Sequence, residues 1–227
     1  MLSDMATPGS DQRFDSVFHR PQRRRRSQPA LSRERIVAAT IDLLDREGAS
    51  ALTMRKVAAE LGVHATSLYW YVERREDLVD LAVDEILAGA ASVPPPPDAP
   101  WDEALKETAL RFYAALTAHT WAAEFAGSRP LIGPNAVALS RRVIEALGEY
   151  GGDEEAQAVA IRAVSNQILG AATSAVAMSA MKSDREQGHE EAVAAAVSEA
   201  DALAVENTYF DQTLDLILAG IRARHGS

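Results

Sequence analysis

The stretch TMRKVAAELGVHATSLYWYVERREDLVD, Thr53–Asp80, holds two short helical patterns that meet at Gly62. Thr53 is placed to cap the first, with Val57, Ala58 and Leu61 on its inner side. The second spans about Ala65–Val72, with Leu68 and Val72 facing inward one turn apart. Helix, short turn and helix make a helix-turn-helix. The second helix also points Tyr69 and Trp70 away from its own apolar side. A small domain gains little by exposing two aromatic rings, whereas a helix laid into a DNA groove has a use for them.

Each outward residue type suits that work. Thr66 and Ser67 can donate or accept hydrogen bonds, and a threonine methyl can meet a thymine methyl. Tyr69 and Trp70 offer flat apolar bodies with one polar atom, suited to sugar–phosphate walls. Arg55 can pair with guanine or phosphate. Thr53, at a helix N-terminus, supplies a hydroxyl and backbone N–H groups to a phosphate. Arg74 and Arg75 would grip the DNA backbone just after the recognition helix.

Charge is distributed to match. The net charge of −10 would repel DNA if it were uniform. Residues 1–75, however, carry 13 Lys+Arg against 9 Asp+Glu, a net of +4, whereas residues 76–227 carry 10 against 24, a net of −14. A chain basic at one end touches phosphate at that end, and its acidic remainder helps orient the approach. The absence of cysteine rules out a disulfide framework or a thiolate site. No apolar run reaches the ~18–20 residues that cross a bilayer, and no signal-peptide pattern opens the chain. A cytoplasmic protein with no membrane partner is therefore expected.

Residues 1–30, rich in polar groups and proline and carrying the run Arg23–Arg26, read as a disordered basic arm. A helix from Ser32 to Gly48 follows, with Ile36, Thr40, Leu43 and Leu44 on one face. A fourth helix is expected to run unbroken over about 76–90. Pro94–Pro97 forms a stiff spacer. Helical periods then cover about 101–120, 134–150, 153–181 and 200–223, with a turn-rich break over Gly127–Pro134 and a mobile loop over 182–199. No segment alternates like a strand. The expected fold is all-α, with a helix-turn-helix domain over 31–76 and a larger helical domain over 77–227.

The segment Ser32–Leu87 resembles the DNA-binding domain of tetracycline-repressor (TetR) family transcription regulators. The resemblance rests on RERIVAATIDLLDREGASALTMRKVAAELGV, then SLYWYV, then REDLVDLAVDEIL. It implies base or backbone contacts from Thr53, Arg55, Ala65, Thr66, Ser67, Tyr69, Trp70 and Arg75. Ala65 and Thr66 stand where members of that family differ most, and are the expected carriers of operator preference.

The segment WDEALKETALRFYAALTAHTWAAEFAGSRPLIGP resembles the tetracycline-repressor subgroup, with Arg129-Pro130 matching the turn that rearranges there on induction. The subgroup's metal-ligating histidine is replaced by Phe125, which cannot bind a hard cation. A later polar pocket position is Asn166 where the subgroup has histidine. A magnesium–tetracycline complex is therefore not expected, nor is any metal or cofactor. An apolar cavity is expected to remain, lined by Trp101, Phe112, Tyr113, Trp121, Phe125, Leu131 and Met178 beside the Arg129-Pro130 turn. Arg111, Asn166 and Gln167 would be its orienting polar groups. Small residues over Asn166–Met181 and the stripe Leu214, Ile217, Leu218 and Ile221 are expected to build a four-helix homodimer interface.

The expected function is a repressor released from a palindromic double-stranded DNA operator by a small, largely apolar effector. The alternative is an effector-independent DNA-binding regulator or activator. No nucleophile–base pair, phosphate loop or metal cluster points to an enzyme.

Overall fold

A computed structural model describes residues 16–20, 31–150, 152–186 and 192–225. The described residues form ten α-helices and one 3₁₀ turn, with no strand. The first helix, α1 (Arg33–Glu47), starts where Ser32 Oγ accepts from the Arg35 amide at 3.3 Å, and it stops at Gly48, whose φ is +75°. A 3₁₀ turn at Ala49–Ala51 leads to α2 (Met54–Glu60), capped by Thr53 through a 3.2 Å bond from the Lys56 amide. These caps answer the unpaired N–H groups of each first turn, where Ser and Thr are preferred.

Gly62 closes α2 in a Schellman motif. Its amide reaches the Ala59 carbonyl at 3.1 Å, and the Val63 amide reaches the Ala58 carbonyl at 2.9 Å. The required φ of +66° is one that a Cβ would strain. The next helix, α3 (Ala65–Leu68), is shorter than the expected Ala65–Val72. Tyr69–Tyr71 continue it only as a turn, with the Val72 amide still bonded to the Leu68 carbonyl at 3.0 Å. Leu68 and Val72 are nonetheless fully buried beside Ile36, Leu43, Leu52, Val57 and Leu78. Side chains of this kind contribute about 1.5–3 kcal/mol each when buried.

The fourth helix, α4 (Arg75–Ile86), ends four residues before the expected boundary. A turn at Leu87 separates it from α5 (Ala88–Ser92), so the connection to the larger domain is broken rather than continuous. Leu87 is fully buried, which pins the break. The Arg142 guanidinium fastens the end of α5, donating to the carbonyls of Ala90 (3.1 Å), Val93 (2.9 Å) and Ala91.

The larger domain consists of α6 (Trp101–Thr117), α7 (Thr120–Ser128), α8 (Pro134–Tyr150), α9 (Glu154–Glu186) and α10 (Ala192–His225). Two expectations change here. A separate α7 replaces the end of the 101–120 helix and part of the 127–134 break. The last two helices are longer than 153–181 and 200–223, and they take most of the expected 182–199 loop. The central helix α6 packs on α8 and α9, while α9 lies along α10. The Tyr113 and Phe210 rings stack at 4.0 Å across the α6–α10 seam.

The stripe expected at a dimer interface also differs. Leu214, Leu218 and Ile221 are buried inside the protomer, so they hold α10 to its own chain. Among the described side chains of α10, the large apolar ones left outside are Val205, Tyr209 and Leu216, the last 73% exposed. Among the described residues no helix is long and apolar enough to cross a membrane.

Candidate nucleic-acid interface

The outward set expected from the sequence gathers around α2 and α3. Thr53, Arg55 and Thr66 are exposed, while Ala65 and Ser67 are half-buried. Tyr69 and Trp70 are 48% and 47% exposed immediately after the buried Leu68. A turn that buries one residue and exposes the next two is fixed in orientation by its core contact. Its aromatic rings are thus held at the surface by the packing of Leu68 and Val72.

Arg75 is placed differently. Its Nε donates to the Leu52 carbonyl at 2.9 Å and its Nη2 to the Ala49 carbonyl at 2.8 Å. The guanidinium ties α4 to the 3₁₀ turn ahead of α2, next to Thr53 in the chain. Tyr71 does comparable work, donating from its hydroxyl to the Leu31 carbonyl at 2.7 Å. The arginines of the Arg23–Arg26 run lie outside the described residues.

Part of the expected arm is ordered. In Ser16–Arg20, Ser16 and Val17 are buried, and Arg20 forms a two-point ion pair with Asp77 at 2.8 and 2.6 Å. Asp77 is fully buried and also accepts from the Glu73 and Arg74 amides at 2.8 and 3.2 Å. Burial alone would raise its pKa. The Arg20 bond and the two amides outweigh burial and hold the carboxyl below its usual range. A carboxylate held below its unfolded value stabilises the fold above about pH 4, and that contribution is lost as pH falls through the folded value. Asp77→Asn is therefore expected to be less stable than the parent at pH 7, with the gap narrowing towards pH 3. Urea unfolding at both pH values measures this, and a gap independent of pH would contradict it.

Three polar links join the small domain and α4 to the larger domain. Trp121 Nε1 and His119 Nδ1 both meet Asp45 Oδ1 of α1, at 2.6 and 2.8 Å. Arg129 grips both oxygens of Asp80 at 2.6 and 2.9 Å, and this pairing pushes the guanidinium pKa up. Asp84, also on α4, caps α8 by accepting from the Asn135 and Ala136 amides, each at 3.0 Å. Burial pushes the Asp84 carboxyl up despite these bonds.

The residues expected to line one effector cavity are spread over several places. Phe125, Arg129, Pro130 and Leu131 do gather, with Phe18 and Val83, around a cleft between α4 and the 129–133 loop. That cleft has only ≈ 10 Å³ of room, about one water. Asn166 lines a separate open groove of ≈ 720 Å³ between α7 and α9. Gln167, one position on, faces α10 and donates to Thr213 Oγ1 at 2.6 Å. Trp101 packs on Tyr150 at 5.2 Å, Arg111 pairs with Glu107 on its own helix, and Phe112 is core. Trp121 is committed to Asp45. Helical residues one position apart point about 100° apart, so Asn166 and Gln167 face different neighbours.

A further hollow of ≈ 400 Å³ lies between α6 and α10, lined by Leu110, Tyr113, Thr117, Asn207 and Phe210 among others. The Tyr113 hydroxyl beside it is buried without a hydrogen-bond partner among the described residues. Burial, helped by the charge of Glu206, pushes the phenol up to about 12. An unsatisfied buried hydroxyl costs roughly 1–3 kcal/mol, so Tyr113→Phe should leave the unliganded protein as stable or raise its Tm. A lowered Tm would reveal a partner for that hydroxyl. The Asp45–Trp121 link does not announce itself in sequence, because it depends on pairing between distant helices.

Comparison with known proteins agrees with this architecture. Residues 36–82 match the model of bacterial regulatory proteins of the tetR family, and residues 93–225 match the tetracyclin repressor-like C-terminal domain. The chain is 34% identical to an HTH-type transcriptional regulator of Saccharopolyspora erythraea, covering 100% of this chain and 99% of that one. It is 33% identical over 65% of its length to the HTH-type transcriptional repressor DrrR1 of Streptomyces coeruleorubidus, of which the match spans 54%. Among solved structures, ActR of Streptomyces coelicolor in complex with actinorhodin superposes with a TM-score of 0.68 at 26% identity, over 87% of this chain and 99% of that one. A TetR point variant of Acinetobacter baumannii AYE in complex with minocycline gives 0.67 at 28%, over 87% and 99%. Two family models in the expected order, a full-length relative and a shared all-helical architecture make this chain a member of the TetR family of transcriptional regulators.

Proposed function

We propose that the protein binds a palindromic operator as a homodimer, represses transcription there, and is released by a small, largely apolar effector. The observation that carries the DNA half is the exposure of Tyr69 and Trp70 on the turn whose Leu68 and Val72 are buried. In this reading Thr66 and Ser67 meet base edges, while Tyr69, Trp70, Thr53 and Arg55 meet sugar and phosphate. Ala65 sits at the start of α3, where a larger side chain would change the fit to the groove. Two such heads ~34–36 Å apart read successive major-groove faces.

Support for the dimer comes from the apolar side chains exposed on the last two helices, Val159 and Met178 on α9 with Tyr209 and Leu216 on α10. A second copy would cover them in a four-helix arrangement. Support for an effector comes from the two hollows in the larger domain, one apolar beside the Tyr113 phenol and one beside Asn166. Similar proteins solved with actinorhodin and with minocycline add to that support, since their architecture accommodates small molecules. The aromatic ring of Phe125 at the hinge favours an apolar molecule over a metal chelate there.

An effector releases DNA only through different affinity for the two states. Displacing the 129–133 loop would break Arg129–Asp80 and uncap α8, and so move α4. Typical coupling of this kind is worth ~1–3 kcal/mol. The test is selection of bound fragments from sheared genomic DNA by the purified protein, followed by a small-molecule screen for release. Recovery of inverted repeats, and molecules that lower affinity for them, supports the reading. Inverted repeats insensitive to every molecule that binds the larger domain would favour the effector-independent alternative.

A further inference from the structure

We infer that Ser16–Arg20 is a clasp whose Phe18 and Arg20 position α4 between the reading head and the larger domain, and so set operator affinity. The inference rests on the reading that α3 contacts the operator. The five residues form a turn, with the His19 amide on the Ser16 carbonyl at 3.0 Å and the Phe18 amide on Ser16 Oγ at 3.3 Å. The segment touches three bodies. Arg33 of α1 donates from Nη2 to the Val17 carbonyl at 3.4 Å. Arg20 holds Asp77 in the first turn of α4 by two bonds and reaches Glu73 at 3.1 Å. Phe18, half-buried and packed against the core, lines the cleft between α4 and the 129–133 loop together with Val83, Phe125, Leu131, Ile132 and Ala136.

The physical consequence follows from where these contacts lie. Asp77 and Val83 are less than two turns apart on one helix, and the clasp grips both ends of that interval. One grip is ionic and faces the head. The other is apolar and faces the loop that carries Arg129. With only ≈ 10 Å³ of room left in that cleft, the loop cannot move towards α4 without displacing Phe18 from its wall. A helix held at one end only would sample more orientations, and a dimer whose heads wander spends less time at the spacing an operator demands. Phe18 and Arg20 are thus positioning residues that act on DNA through α4.

Full-length Phe18→Ala and Arg20→Ala, with Phe18→Leu and Arg20→Lys as conservative controls, test this by hydrogen exchange on the DNA-free protein and by operator titration. In both alanine variants, amide exchange should speed up at least about fivefold in 75–86 and in 129–136, with 154–179 unchanged. Operator affinity should fall about fivefold or more, and Phe18→Leu should restore both. Faster exchange confined to 16–20, or equal at all sites, would overturn the inference, as would unchanged operator affinity. A parent protein that binds no operator would fail the functional reading instead, and the exchange data would still test the clasp.

Discussion

Trp70→Ala weakens operator binding by about 30-fold or more while the protein stays folded. A tryptophan at the centre of an interface is commonly worth about 2 kcal/mol or more on truncation, which is roughly 30-fold in Kd. The folded state loses little, because Trp70 is 47% exposed and sits outside the Leu68–Val72 packing. The two effects are separable by fluorescence anisotropy with operator DNA and by thermal unfolding. Affinity close to that of the parent would remove Tyr69 and Trp70 from the contact surface, and the recognition-helix assignment with them. A large drop in Tm would instead place Trp70 in the core.

Gly133→Ala has the largest expected effect on stability. A Cβ at Gly133 would overlap Asp84 Cγ and Oδ1 and stand 2.7 Å from its Cβ. The carboxylate cannot retreat, because it is buried on α4 and bonded to the Asn135 and Ala136 amides. Overpacking of this kind costs typically ~1–3 kcal/mol, and for a chain of this size each kcal/mol lowers Tm by roughly 2–4 °C. Losing the α8 cap adds to it. Asp84→Ala removes Cγ and Oδ1 from the clash, leaving only the Cβ contact, but strands the two amides. The loss in the double variant should therefore be smaller than the sum of the two single losses, a non-additivity that marks direct contact. Additive losses would mean that Gly133 and Asp84 do not meet.

The reading head was legible in the sequence because its punctuation is local. Ser32, Gly48, Thr53 and Gly62 each act on residues within four positions, and all four stand where the pattern places them. The inward set Val57, Leu68 and Val72 follows from helical period alone. Longer-range features were not legible. Leu87, at the break, is buried in the core, and Trp121, in the first turn of α7, reaches Asp45 76 positions back. Residues 16–20 lie in a stretch whose composition argues for disorder, yet Arg20 finds a buried carboxylate 57 positions on.

The effector site was the least legible part. Aromatic and polar residues of the larger domain mark helix faces, but which faces enclose a hollow depends on crossing geometry. Asn166 and Gln167, adjacent in sequence, open onto a groove and onto α10 respectively. Likewise Leu214 and Leu218, apolar and periodic, close the protomer, and Tyr209 and Leu216 face outward. Period identifies a buried face without saying which neighbour buries it.

Quantitative footprinting of an inverted repeat recovered from genomic DNA, against the same DNA with one half-site scrambled, tests the central claim most directly. A dimer reading with α3 should protect both half-sites together, at one dimer per repeat, and should lose about 4 kcal/mol or more when one half is scrambled. Equal protection of the intact and scrambled sequences would contradict sequence reading by Thr66 and Ser67.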